Sequence, residues 1–212
     1  KKGLTPTLMT IKSKNLKLLD LLNQFNIDFS KSNKIGETPF NLAIKLGFCE
    51  GIKTLHNLGI KLNENTNTLP PLLIAVLSNQ LNALKTLIDL NYDIASTFSI
   101  GTQEKKCGGF NLIHYAAENG NIEIINLLVN KGLNINYQSH SKTTPLHLVA
   151  YKLIKSSKNL HETYLEVIKN MIDLGSDMNI KDINNKSPND ILQNYFASKH
   201  TQSIPNTTCE IC

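Results

Sequence analysis

The sequence closes on Cys209, Glu210, Ile211 and Cys212, and three chemistries use those residue types at that spacing. Two cysteines separated by two residues ligate zinc when two more ligands converge on them, or act as a dithiol at the start of a helix that follows a strand. A cysteine four places from a C-terminus, with an aliphatic residue two places later, is what a prenyltransferase reads. For zinc, His200 is the nearest further ligand and a fourth is missing. The dithiol reading lacks its strand, because the preceding run ASKHTQSIPNTT is polar. A flexible, accessible end is what prenylation requires. Cys209 is therefore the expected site of a thioether-linked isoprenoid in a eukaryotic cytosol. A Cys in the last position leaves farnesyl and geranylgeranyl open, with farnesyl favoured by the small side chain.

Elsewhere the candidate chemistry is sparse. Cys107 lies in a Gly-rich stretch beside Lys105 and Lys106, cations that would lower a thiol pKa. No His or Asp is spaced to complete a triad with it. There is no Gly-rich phosphate loop, no H-E-x-x-H and no G-x-S-x-G. No catalytic residue, cofactor or metal is expected, and the chain does not read as an enzyme. His114 and His147 remain as imaginable ligands or bases, and they occupy matching places in a repeated pattern.

Composition narrows the partners. The 212 residues suffice for one large domain or one solenoid. Aromatics are 6% and Trp is absent, so a core must be built from Leu, Ile and Ala. The net charge is +5, but all 22 basic residues are Lys. Arg is the residue of bidentate phosphate and base recognition, so no specific nucleic-acid partner is expected. Four irregularly spaced Cys make no disulfide framework, which points to a reducing compartment. No signal peptide and no run of 18 apolar residues is present. The first residue is Lys1 and not Met, which leaves open whether an N-terminal piece precedes it.

The elements that must position these residues repeat. GLTPTLMTIKSKNLKLLDLLNQFNIDF from Gly3 aligns with GETPFNLAIKLGFCEGIKTLHNLGIKL from Gly36, an offset of 33. Pro39 then aligns with Pro71, Leu112 with Pro145 at 33 again, and a half copy opens at Pro188. Where a copy keeps Thr-Pro, at 5–6, 38–39 and 144–145, Thr caps a helix and Pro takes its first position, where no N–H is needed. A short apolar helix with small residues such as Ala43, Ala75, Ala116 and Ala117 follows. Gly47 and Gly120 mark a turn into a second helix. That helix ends at Gly59, Asn91, Gly132 or Gly175, residues that tolerate a left-handed cap.

TTPLHLVA and FNLIHYAAENG come nearest to the pattern of the ankyrin repeat, which this sequence resembles over nearly all of residues 1–197. The resemblance implies an all-α solenoid of about five repeats and a C-terminal half-repeat cap, with short β-hairpin fingers. It also implies that His114 and His147 hydrogen-bond backbone between loops, and that another protein binds the concave face lined by fingers and first helices. Residues 198–212 are expected to form a flexible tail.

Two breaks interrupt the period. From Pro71 to Leu112 is 41 residues, and the surplus near 96–108 lengthens one finger. Phe98, Ile100, Lys105, Lys106 and Phe110 make it a candidate partner-binding loop, against the alternative of a disordered insertion. Glu123 aligns with Glu166, 43 residues on, so ten extra residues fall near 152–164. They are expected to extend one helix and lengthen its turn. Lys152, Lys155 and Lys158 recur every three residues there, as a candidate basic patch for anionic lipid or an acidic partner, or as a solvated face.

Ankyrin repeats with such a terminus resemble prenylated effectors that intracellular bacteria deliver into eukaryotic cells. The first expectation is thus a protein-binding adaptor or effector. Its partners would be a target protein, a prenyltransferase and, through the lipid, the cytoplasmic face of host membranes. The alternatives are a regulatory or substrate-docking part of a larger enzyme, and an unlipidated soluble scaffold.

Overall fold

The computed structural model describes residues 5–60, 69–98 and 108–201, with the backbone alone for 158–159 and 198–201. Among the described residues there are eleven helices and no strand longer than a single bridge. Ten of them form five pairs: α1 (Pro6–Lys12) with α2 (Leu16–Gln24), α3 (Pro39–Lys45) with α4 (Cys49–Asn57), α5 (Pro71–Leu77) with α6 (Leu81–Asp89), α7 (Leu112–Glu118) with α8 (Ile122–Asn130), and α9 (Pro145–Lys155) with α10 (Lys158–Asp173). A single helix, α11 (Pro188–Thr201), ends the series. The expected all-α repeat architecture of five pairs and a half copy is what the chain adopts.

The helix starts follow from the T-P pairs. Thr5 Oγ1 accepts the Leu8 N–H at 3.3 Å, and Thr38 Oγ1 accepts that of Asn41 at 3.2 Å. Each satisfies one of the orphan donors of a helix N-terminus. Second helices close in the left-handed region at Asn26, Gly59, Asn91, Gly132 and Gly175. The turn inside each of the first four pairs needs the same conformation and takes it at Lys14, Gly47, Asn79 and Gly120, two of them not glycine.

Two compact units divide the chain, Lys1–Ser96 and Thr97–Cys212. In the first, α1 packs on α3 and α3 on α5, while α2 packs on α4 and α4 on α6. Leu8, Ile44, Ile52, Leu55, Leu73 and Leu84 fill its interior, all fully buried. Cys49, at the first position of α4, is half-buried. In the second unit α9 packs on α7, α10 and α11, around Ile113, Ala116, Leu128, Leu146, Val149 and Met171.

The ten surplus residues of the fifth pair do not enlarge its turn. First helices elsewhere are 7 residues long and α9 has 11; second helices elsewhere have 9 and α10 has 16. Both helices are therefore extended, by about one and two turns, and the turn between them is Ser156-Ser157 alone. Helix α11 likewise runs to Thr201, past the expected start of the tail at 198. It opens on a reciprocal cap: Ser187 Oγ accepts the Asp190 N–H at 3.1 Å, and Asp190 Oδ2 accepts the Ser187 N–H at 2.9 Å. These hydrogen bonds hold the Asp190 carboxyl below the usual carboxylate range.

Candidate functional site

Between successive pairs the chain makes hairpin turns, the fingers. Asn33 N–H donates to Glu37 O at 3.0 Å, Ser139 N–H to Thr143 O at 3.0 Å and Asp182 N–H to Lys186 O at 2.9 Å. The first side chain of each turn closes it from within. Asn33 Oδ1 accepts the N–H groups of Ile35 and Glu37, and Asp182 Oδ1 those of Asn184 and Lys186. Such Asx turns form without any strand ladder, so the fingers are short.

The two patterned histidines lock the fingers of the second unit to its helices. His114 Nε2–H donates to Thr143 O at 3.0 Å, and His147 Nε2–H donates to Lys186 O at 3.0 Å. That leaves Nδ1 as an acceptor. It takes the Asn111 N–H at 3.3 Å in one case and the Thr144 N–H at 3.1 Å in the other. Each imidazole thus caps its own helix and fastens the next finger, as the resemblance implied. Both side chains are fully buried. Burial pushes the His114 pKa down to about 4, helped by the proximity of His147, and lowers that of His147 as well. A neutral, fully bonded, inaccessible imidazole has no free position for a metal or a substrate.

Neighbouring fingers are also joined. Ile183 N–H donates to Ser141 O at 3.0 Å, and Asn136 bridges to the Gly175 carbonyl and the Asp177 N–H at 2.9 Å each. What remains outward is apolar at the tips: Ile35 is 61% exposed and Ile183 59%. Sequence reasoning passed over both. Their signal is a lone aliphatic residue among turn formers, in SNKIGET and KDINNKS.

Of the expected partner-binding loop, Ile100, Lys105 and Lys106 lie outside the described residues, as do Cys107 and the expected prenylation site Cys209. Phe98 and Phe110 sit at the loop's neck. They exchange backbone hydrogen bonds of 2.7 and 3.0 Å, and both rings pack against Tyr115 of α7. Gly109, just before Phe110, has φ +80°, and a β-carbon there would lie 2.6 Å from the His140 ring. The neck is thereby held against the 139–143 finger, which also bonds it through His140 N–H to Gly108 O at 3.0 Å. In the expected basic patch, Lys152 pairs with Glu118 at 3.0 Å and Lys155 is exposed. The Lys158 side chain lies outside the description.

Among the described residues no group of three or more His, Cys, Asp or Glu is placed to hold a metal ion. Among them also, no helix is long and apolar enough to cross a membrane.

Comparison with known proteins agrees with this architecture. Alpha-latrotoxin-Lhe1a of Latrodectus hesperus is 41% identical over 69 residues, 32% of this chain and 5% of that protein. Alpha-latrotoxin-Lt1a of Latrodectus tredecimguttatus is 40% identical over 60 residues, 28% of this chain and 4% of that protein. The chain spans only about one-twentieth of the length of these curated relatives. The family model described as ankyrin repeats (3 copies) matches residues 7–98 and 72–182. With its helix pairs, capped starts and histidine-locked fingers, the chain belongs to the ankyrin repeat family, whose repeats bind other proteins.

Proposed function

We propose that the chain is a non-catalytic adaptor or effector that grips a target protein with its fingers and first helices. The observation that carries this reading is the exposed Ile183 on a turn fixed from both sides. An aliphatic side chain on a pre-fixed backbone loses little freedom on binding, so more of its burial appears as affinity. Ile35 stands on an equivalent turn of the first unit. Ile100, Lys105 and Lys106, in the insertion whose neck is made by Phe98 and Phe110, are further candidates for contact with the target.

If Cys212 ends the translated protein, Cys209 is in addition a prenylation site, and a eukaryotic prenyltransferase and the cytoplasmic face of a membrane join the partners. The support is the C-x-aliphatic-x spacing. One isoprenoid gives only marginal anchoring, so the lysines of 152–158 or the bound target must add to it.

The test is made on the intact chain expressed in eukaryotic cells. The proteins that co-purify with it should lose about tenfold or more in affinity for the Ile35→Ser/Ile183→Ser variant, consistent with two apolar anchors, at unchanged thermal stability. Equal affinity would remove the fingers from the binding surface. Cys209→Ser should move the chain from the membrane fraction to the cytosol, whereas Cys212→Ser should stay prenylated. An intact mass with no isoprenoid would end the lipid part of the reading and leave the adaptor part standing.

A further inference from the structure

The extension of α9 and α10 makes a second surface, lined by these two helices and the end of α7. Helix α10 overhangs the turn after α7, and Tyr164 and Thr163 lie 3.6 and 3.7 Å from the place a β-carbon would take on Gly120. Beneath the overhang is a cleft of about 530 Å³. Its floor is apolar, made by Leu148, Leu160 and the rings of Tyr151 and Tyr164. Both phenol hydroxyls are already bonded: Tyr164 donates to Glu118 O at 3.2 Å, and Tyr151 to Asp182 Oδ2 at 3.4 Å. The rings are therefore positioned before anything binds. Leu160 is 48% exposed, so the apolar lining is open to solvent.

The rim is charged unevenly. Lys152 is neutralised by Glu118 at 3.0 Å. Lys155 lines the same cleft, is exposed, and has no carboxylate partner among the described residues. The unbalanced charge is thus positive and lies at the Lys155 end, while Glu118 repels an anion at the other end.

We propose that this cleft docks an acidic, apolar peptide segment of a partner protein, with a carboxylate against Lys155 and a neighbouring aliphatic or aromatic side chain on the Leu148–Leu160 floor. The volume falls within the range of roughly 300–1,000 Å³ typical of clefts that take a ligand. The uneven rim fixes the direction in which the segment lies. The proposal rests on the chain being a protein-binding module and adds a surface distinct from the fingers.

The experiment uses the full chain and two sets of fluorescent, end-capped octapeptides, followed by anisotropy. In one set two Asp or Glu residues are mixed with Leu, Ile and Phe; in the other Asn and Gln replace the acids. The acidic set should bind saturably and about tenfold more tightly, the ratio that one charge-assisted contact gives. Lys155→Glu, a change at an exposed position, should abolish that difference. Glu118→Gln, which frees Lys152, should tighten the acidic set by about threefold, the scale of an exposed ion pair. A structural role for these residues would not produce changes of opposite sign. Equal binding of the two sets, binding unaffected by Lys155→Glu, or no saturation below about 1 mM would overturn the proposal. So would binding of decanoate with all peptides inert, which would make the cleft a fatty-acid site. None of these results bears on the finger variants, so the two surfaces fail or stand separately.

Discussion

Leu128→Ala should lower the free energy of unfolding by about 2–5 kcal/mol, the range of large-to-small changes in well-packed cores. Leu128 is fully buried, on the face of α8 that also buries Ile124 and Ile125, and α8 packs on α7. Truncation removes burial and leaves a cavity that two short helices, each pinned by caps, are poorly able to close. A repeat array is held by its repeats and by the interfaces between neighbours, and a typical domain has about 5–15 kcal/mol in total. The loss would therefore be a large share of the stability of the second unit. Urea unfolding at pH 7 measures it. A loss below about 0.5 kcal/mol would mean that Leu128 is not a core residue and that the repeat register is wrong.

Acidification should destabilise the fold before the carboxylates titrate. His114 binds a proton with a pKa of about 4 when folded, against about 6.5 for an unfolded histidine. Between these values the unfolded chain holds a proton that the folded chain refuses, so stability falls as pH falls. The contribution is fully present above pH 6.5, is lost progressively down to about pH 4, and adds no further slope below. The separation of the two pKa values corresponds to roughly 3 kcal/mol. His147, also lowered by burial, steepens the same window. Asp28, Asp93 and Asp190 are held below their ordinary range and lose their hydrogen-bonded form at lower pH still. The slope between pH 6.5 and 4.5 should flatten in His114→Gln, measured as unfolding free energy at intervals of pH. An unchanged slope in that variant would place the titrating group elsewhere.

What was legible in the sequence is what local chemistry dictates. Thr38-Pro39 and Thr144-Pro145 each open a helix because Pro needs no N–H there. Gly59, Asn91, Gly132 and Gly175 end second helices because the cap has positive φ. The locking role of His114 and His147 came with the family resemblance, and their particular partners, Thr143 O and Lys186 O, depend on tertiary packing. The surplus near 152–164 departs from its expected longer turn for a related reason. A lysine-rich run reads as turn or helix alike, and packing of Leu153 and Val167, both fully buried, decides for helix. Exposure was the least legible property. Ile35 and Ile183 carry the same apolar side chain as core isoleucines, and only the folded turn puts them in solvent. Phe98 and Phe110 show the converse, being drawn into the loop's neck against α7.

The central claim is that the fingers are the surface by which this chain holds another protein. It is tested most directly by amide hydrogen exchange on the intact chain, alone and saturated with a protein that co-purifies with it. The account predicts slowed exchange in segments 33–37, 139–143 and 182–186 and at the starts of the first helices that follow them. Protection confined to the second helices α4, α6 and α8, with those turns unchanged, would contradict it.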